Sequence, residues 1–288
     1  MEQRETSVVR RRRLRVELRR IREESGRTQK AVAEALGWST HKVIRIETGA
    51  VNVSTSDLMA LLHFYGITDS TVTEELLAVT RTRVAGWWDE YRSYFSQQFL
   101  NFLGYEDSAI CIRQYMGDLV PGLLQTEEYA RAVVSDYQPD GEQTDRETMV
   151  RMRRQQLFDR PHGPEFQYVL DEVVVHRWMG GREAMLRQLA RLKELAQHPR
   201  VSIRIVPFSE GMYPGMQVSS FTIVELPSED GVVTLVEDPH RDVIVDDPET
   251  SSNYISKFSK LQQIACPEGE VDKIIDPVIE RMRLGTTV

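Results

Sequence analysis

Residues 28–49, TQKAVAEALGWSTHKVIRIETG, place two short helical patterns either side of a glycine, and that spacing restricts the fold more than any other stretch of the chain. Thr28 stands where an N-cap belongs, ahead of a stripe of Ala31, Val32, Ala35 and Leu36. Gly37 breaks this helix. Ser39 or Thr40 caps the next, whose inward residues are Val43 and Ile46, and Gly49 occupies the C′ position that favours a left-handed backbone. Flanking patterns complete the unit. Leu14, Leu18 and Ile21 give an amphipathic helix from Arg11 to Glu24, stopped by Gly26. A fourth helix carries Leu58, Leu61, Leu62 and Tyr65 and stops at Gly66, and a fifth runs from about Thr73 to Ala85. Five short helices in this span predict an all-α domain over residues 10–85.

The composition changes at GWWDEYRSYFSQQFLNFLGYE, which reads as an aromatic-rich helix with Trp88, Tyr91, Phe95 and Phe102 along one face. LVPGLLQTEEYARAVV follows as a turn at Pro121-Gly122 and a helix capped near Thr126. GPEFQYVLDEVV and RVSIRIVPF read as strands with a helix from Arg182 to Ala196 between them, and SSFTIVEL and GVVTLVED as a hairpin. Helices around ETSSNYISKFSKLQQIA and from Glu270 to Arg283 close the chain. The expectation is a multidomain protein: an all-α helix-turn-helix N-terminal domain, then an α/β (α+β) domain over residues 86–288 with a small mixed sheet. No linker longer than a few residues divides them.

Charge is unevenly distributed. Residues 1–50 carry 13 Lys and Arg against 7 Asp and Glu, a net of +6, whereas the remainder carries −14. A basic head on an acidic body suits a nucleic-acid-binding domain joined to something else, and equally a basic arm gripping an acidic partner. Cys111 and Cys266 match no zinc spacing and point to a reducing compartment. The basic start has no apolar segment after it, and no apolar run approaches the ~20 residues of a membrane span. The expectation is a soluble, cytoplasmic protein without membrane contact, nucleoid-associated when bound to DNA.

Two helices joined through a glycine turn of three to four residues, the second polar at its start, form a helix-turn-helix. The major groove, about 12 Å wide, accepts one helix, and the first turn of that helix reaches base edges. Here the turn is Ser39-Thr40-His41-Lys42. With Val43 and Ile46 inward, Thr40, His41, Ile44 and Arg45 face outward. Arg45 suits a two-bond grip on guanine, His41 a base acceptor and Ile44 a thymine methyl. Lys42 reads as a phosphate contact. Thr28, Gln29 and the free amides beside them suit phosphate as well.

LRRIREESGRTQKAVAEALGWSTHKVIRIETG resembles the phage-repressor and Cro-type helix-turn-helix regulators, also called the xenobiotic-response-element family, over roughly residues 14–66. The Thr-Gln opening, the alanine within the second helix, the glycine turn and the closing Ile-Glu-x-Gly carry the resemblance. It implies that Gln29 and the first turn of the third helix hold DNA, and that Arg22 pairs with Glu47 as matching family positions do. Trp38 departs from the pattern; its ring would lie against the sugar-phosphate. WWDEY, LVPGLLQTEEYARAVV, RRQQL, VLDEVVVHRWMGG and VSIRIVPF resemble the large C-terminal domain of actinobacterial Scr- and WhiJ-type regulators, which are antitoxin-like. That resemblance implies a small protein partner encoded nearby.

Other features support blander readings. The Arg10–Arg13 run reads as a solvated, frayed helix end, with a phosphate-binding arm as its alternative. The aromatic stripe reads as core or cover, and Trp87, Trp88 and Tyr91 also offer a partner surface. EDPHRDVIVDD gathers Glu237, Asp238, His240, Asp242, Asp246 and Asp247, but one histidine in an acidic loop is weak support for a metal site. No nucleophile elbow, P-loop or Rossmann glycine pattern occurs. The chain is therefore expected to be a sequence-specific regulator of transcription, such as a repressor, and not an enzyme, with no metal or cofactor. Its expected partners are a double-stranded DNA operator, a second copy of itself and the small neighbouring protein. The alternatives are an antitoxin that neutralises its partner and a small-molecule sensor with a pocket in the second domain.

Overall fold

The computed structural model describes residues 6–81, 85–138, 140–227, 231–237 and 243–285. The chain divides into two compact units, residues 1–108 and 109–288.

The first unit is helical. α1 (Ser7–Glu24) begins at Thr6, whose hydroxyl accepts the Val9 N–H. Thr6 itself is anchored by Ser108, the Ser108 Oγ accepting the Thr6 N–H at 3.2 Å. The Arg10–Arg13 run therefore lies within an ordered helix rather than at a frayed end, and Arg12 is only 6% exposed. α2 (Gln29–Leu36) and α3 (Thr40–Glu47) follow, then α4 (Thr55–Phe64) and α5 (Ser70–Arg81). Leu14, Leu18, Val32, Ala33, Val43, Leu58, Leu61, Leu62 and Leu77 form the shared core. Ala33, not Ala35, is the buried alanine of α2, because Gly37 ends the helix before Ala35 can turn inward. α5 spans Ser70–Arg81 rather than reaching Ala85, and residues 82–84 of the expected helix lie outside the described residues. The aromatic segment is broken where one helix was expected. Trp87–Tyr91 is a 3-10 turn, and Ser96 then caps α6 (Gln97–Asp107) by accepting the Phe99 N–H.

The second unit is built on one sheet. Its elements are β1 (Cys111–Met116), α7 (Glu127–Tyr137), α8 (Gly141–Arg154), β2 (Glu165–Asp171), the short α9 (Val173–His176), α10 (Arg182–Leu195), β3 (Val201–Val206), β4 (Phe221–Glu225), β5 (Val232–Val236), β6 (Val243–Val245), α11 (Pro248–Ile264) and α12 (Asp272–Leu284). The strand order is β3-β2-β1-β4-β5-β6. The first three are parallel, with Tyr115 opposite Val169 and Tyr168 opposite Ile203, so helices must carry the chain back between them. From β4 onward pairing is antiparallel. Successive residues alternate between faces. Tyr115, Val169, Phe221 and Ile223 accordingly meet Phe258 and Leu261 of α11. The fold is thus an all-α unit followed by an α/β unit with a mixed sheet.

The PGLLQT turn is held from several directions. Gln188 of α10, fully buried, donates to the Leu124 carbonyl at 2.8 Å and accepts the Thr126 N–H at 2.7 Å. Gln155 donates to the Gln125 carbonyl at 2.7 Å, and the Tyr129 hydroxyl accepts the Val120 N–H at 3.1 Å. The segment that most marks the second domain's resemblance is here a packed, hydrogen-bonded turn.

Candidate nucleic-acid interface

The head is organised around one carboxylate. Arg22 of α1 donates to Glu47 of α3 through Nε at 2.6 Å and Nη2 at 3.1 Å, a bidentate pair. Gln29 of α2 donates to the second Glu47 oxygen at 2.8 Å. Arg22 and Glu47 are each 8% exposed, so this polar cluster ties three helices together inside the unit. Its bond to Glu47 pushes the Arg22 pKa up. Arg22 Nη1 also donates to the Arg27 carbonyl at 3.0 Å, closing the loop between α1 and α2. Burial, and then the Glu47 charge, push the nearby Tyr65 phenol up to about 12.

The turn between α2 and α3 follows from Gly37, whose φ of 66° is left-handed. The Trp38 N–H reaches back to the Ala33 carbonyl at 2.8 Å, the long bond of a Schellman motif, and satisfies a carbonyl that the helix end would otherwise leave orphaned. Both caps act through side-chain oxygens: Thr28 accepts the Ala31 N–H at 3.1 Å, and Ser39 accepts the Lys42 N–H at 3.2 Å. A hydroxyl that accepts a cap bond still has its own O–H to donate. Thr28 and Ser39 are exposed at the starts of their helices.

Val43 and Ile46 turn into the core, while Thr40, His41 and Arg45 are exposed and Ile44 is half-buried. The result is one face of α3 carrying a hydroxyl, an imidazole, a guanidinium and an aliphatic edge. Gln29 is half-buried, one N–H committed to Glu47. Lys42 is more constrained than its place in the sequence indicates. Its Nζ bonds Asp57 of α4 at 2.6 Å and lies 3.9 Å from the centre of the Trp38 ring. Trp38 is half-buried against the core of the unit, as a platform for Lys42. Sequence reasoning missed Asp57: it lies fifteen residues downstream on another helix, where no local spacing signals it.

Trp88 and Tyr91 are buried and Trp87 is half-buried, their rings meeting edge to face within the first unit. Packing therefore absorbs the two residues that a partner surface there would need most. Of the acidic stretch, Asp238, His240 and Asp242 lie outside the described residues. Among the described residues no cluster of His, Cys, Asp and Glu could hold a metal ion, and no helix is long and apolar enough to cross a membrane.

A locked helix pair with a polar first turn exposed on the second helix is the geometry of a helix-turn-helix DNA-binding domain, and the corresponding family model, a helix-turn-helix domain, matches residues 13–76. The head is that of a DNA-binding regulator. A second family model, a domain of unknown function (DUF5753), matches residues 99–276, and the chain belongs to that family. Comparison with curated proteins and with solved structures returned no match.

Proposed function

We propose that this protein is a sequence-specific transcriptional regulator that reads DNA with the exposed face of α3. The observation that carries the reading is the joint placement of Thr40, His41 and Arg45 outward on a helix that Glu47 fastens to α1 and α2. Arg45 reads guanine, His41 and Thr40 offer hydrogen bonds to neighbouring edges, and Ile44 meets a thymine methyl. Thr28, Gln29, Ser39 and the amides at the helix starts bind phosphate and set the register. Lys42 exchanges Asp57 for a phosphate when DNA arrives. That exchange is energetically easy, because a part-exposed ion pair is worth only about 0–1 kcal/mol.

The regulator acts as a homodimer on a pseudo-palindromic operator, with half-sites about one helical turn, ~34 Å, apart. The net charge of −14 over residues 51–288 argues against the second unit as a DNA face and favours it as the receiver of a signal. A small neighbouring-gene-encoded protein, as in Scr- and WhiJ-type systems, is the partner we favour. Phe208, Met212 and Met216, 57%, 83% and 64% exposed on the segment after β3, support a contact surface there rather than at Trp87. The partner works by favouring an arrangement in which the two recognition helices no longer fit the operator spacing.

A mobility-shift titration on the DNA upstream of the protein's own gene, with and without that small protein, tests the proposal. Specific binding that the partner alters supports it. Specific binding indifferent to the partner removes the partner and keeps the regulator, and no preference over random DNA removes both.

A further inference from the structure

We infer that the first unit contains a binding site for a small amphipathic anion, an apolar body bearing a carboxylate or phosphate, in the cavity between α1, the segment 49–53 and α6. The cavity measures about 300 Å³ and is lined only by residues of this unit. That volume is at the lower end of the ~300–1,000 Å³ range of small-molecule sites. A sensor reading of the sequence would look for such a pocket in the second domain.

Its wall is chemically divided. Leu14, Leu18 and Ile46 supply an apolar part, while Arg11, Arg12, Arg15 and Arg92 bring four guanidiniums. Among the described residues, no Asp or Glu lines it. Three of these arginines belong to α1, where positions 8, 11, 12, 15 and 18 share one helix face. An inward helix face ordinarily carries apolar side chains. Here Val8 and Leu18 bracket Arg11, Arg12 and Arg15 instead, and Arg12 is nearly inaccessible to solvent.

Gly49 makes room for one of these groups. A Cβ at residue 49 would stand 1.8 Å from Arg15 Nη1, so the guanidinium lies where only glycine admits it. Arg92 donates to Asp89 at 2.6 Å and Arg11 to the Ser7 hydroxyl at 3.2 Å. A guanidinium has five N–H donors, so one such partner leaves others for a ligand. Asn52, Gln97 and Asn101 add neutral polar groups around the same space. The wall therefore matches a ligand with one negatively charged end and one apolar end. Ile46, in the last turn of α3, and Gly49 just beyond it also line the cavity, so a ligand bound there touches the recognition helix from behind. Binding itself is independent of the regulatory proposal; only its consequence for DNA rests on that proposal.

The test uses the full chain and ligand-observed NMR with 1-naphthyl phosphate, against 1-naphthol and inorganic phosphate as probes that lack the charge or the apolar body. The expected result is saturable binding of the phosphate ester at one site per chain, at least tenfold tighter than either comparison probe. Arg15→Gln should weaken it at least tenfold, and Asn101→Phe, which fills the cavity from α6, should abolish it; circular dichroism confirms that each variant folds. Three results would overturn the inference: no saturable binding, binding that both variants retain, or complete competition by random-sequence duplex DNA. In the last case the arginines seat the DNA backbone. A DNA effect on probe affinity that instead reaches a plateau marks two coupled sites and supports the inference.

Discussion

Replacing Glu47 with alanine should loosen the whole DNA-binding head. The carboxylate accepts two bonds from Arg22, at 2.6 and 3.1 Å, and one from Gln29 at 2.8 Å. Glu47→Ala removes all three and leaves a guanidinium that is largely withdrawn from water. Deleting one partner of a buried pair costs about 3–5 kcal/mol, because the remaining charge keeps its desolvation penalty. The Arg22→Met/Glu47→Leu double variant leaves no such charge, and apolar replacement of a buried pair is often neutral or stabilising. The assay is amide hydrogen exchange on the full-length protein, following peptides from α1 to α3. At about 1.4 kcal/mol per tenfold, the single variant should exchange roughly 10²- to 10⁴-fold faster where opening limits exchange. The double variant should recover most of that protection. Acceleration of less than tenfold in the single variant, or a double variant no better than the single, would show that the cluster does not fasten the three helices.

Other consequences are more local. Arg45→Ala should cost about 1–3 kcal/mol on the preferred site and little on random DNA, as read by competition titration. Lys42→Ala should weaken binding to all sequences alike and lower the salt-dependence slope by about one, whereas Asp57→Asn, which frees the same ammonium, should strengthen non-specific binding. Gly37→Ala meets no atom within 4 Å, so its cost is that of the left-handed backbone alone, about 1–2 kcal/mol by urea unfolding of the head. Burial pushes the Cys111 thiol from 9.0 up to about 11. The folded state thus resists forming the thiolate: this contribution to stability is intact below pH 9 and lost as pH rises toward 11, at up to about 1.4 kcal/mol per unit. Cys111 should stay unalkylated at pH 8 until the second unit unfolds.

What could be read in the sequence follows the range of the interactions concerned. Thr28, Gly37, Ser39 and Gly49 act on backbone groups within a few residues, so they delimit α2 and α3 without tertiary information. The β-branched runs of β2 and β3 and the helix between them were equally legible. β1 escaped notice because nearly all its residues are buried, on both faces, which removes the alternating pattern of a half-exposed strand. The break before α6 was hidden because aromatic residues continue through it, while its cap, Ser96, is a single hydroxyl. Long-range polar contacts were the least accessible. Nothing near Lys42 announces Asp57, nothing in PGLLQT announces Gln188, and the arginines of α1 look like a solvated end until Ile46, Gly49 and α6 are seen around them.

The central claim is that α3 reads a DNA sequence, and selection from a random duplex pool by the purified full-length protein tests it most directly. The account predicts enrichment of a short motif containing guanine, repeated about one helical turn away in inverted orientation, with the guanine preference lost in Arg45→Ala. A pool that remains random after repeated rounds, or a motif that Arg45→Ala leaves unchanged, would contradict it.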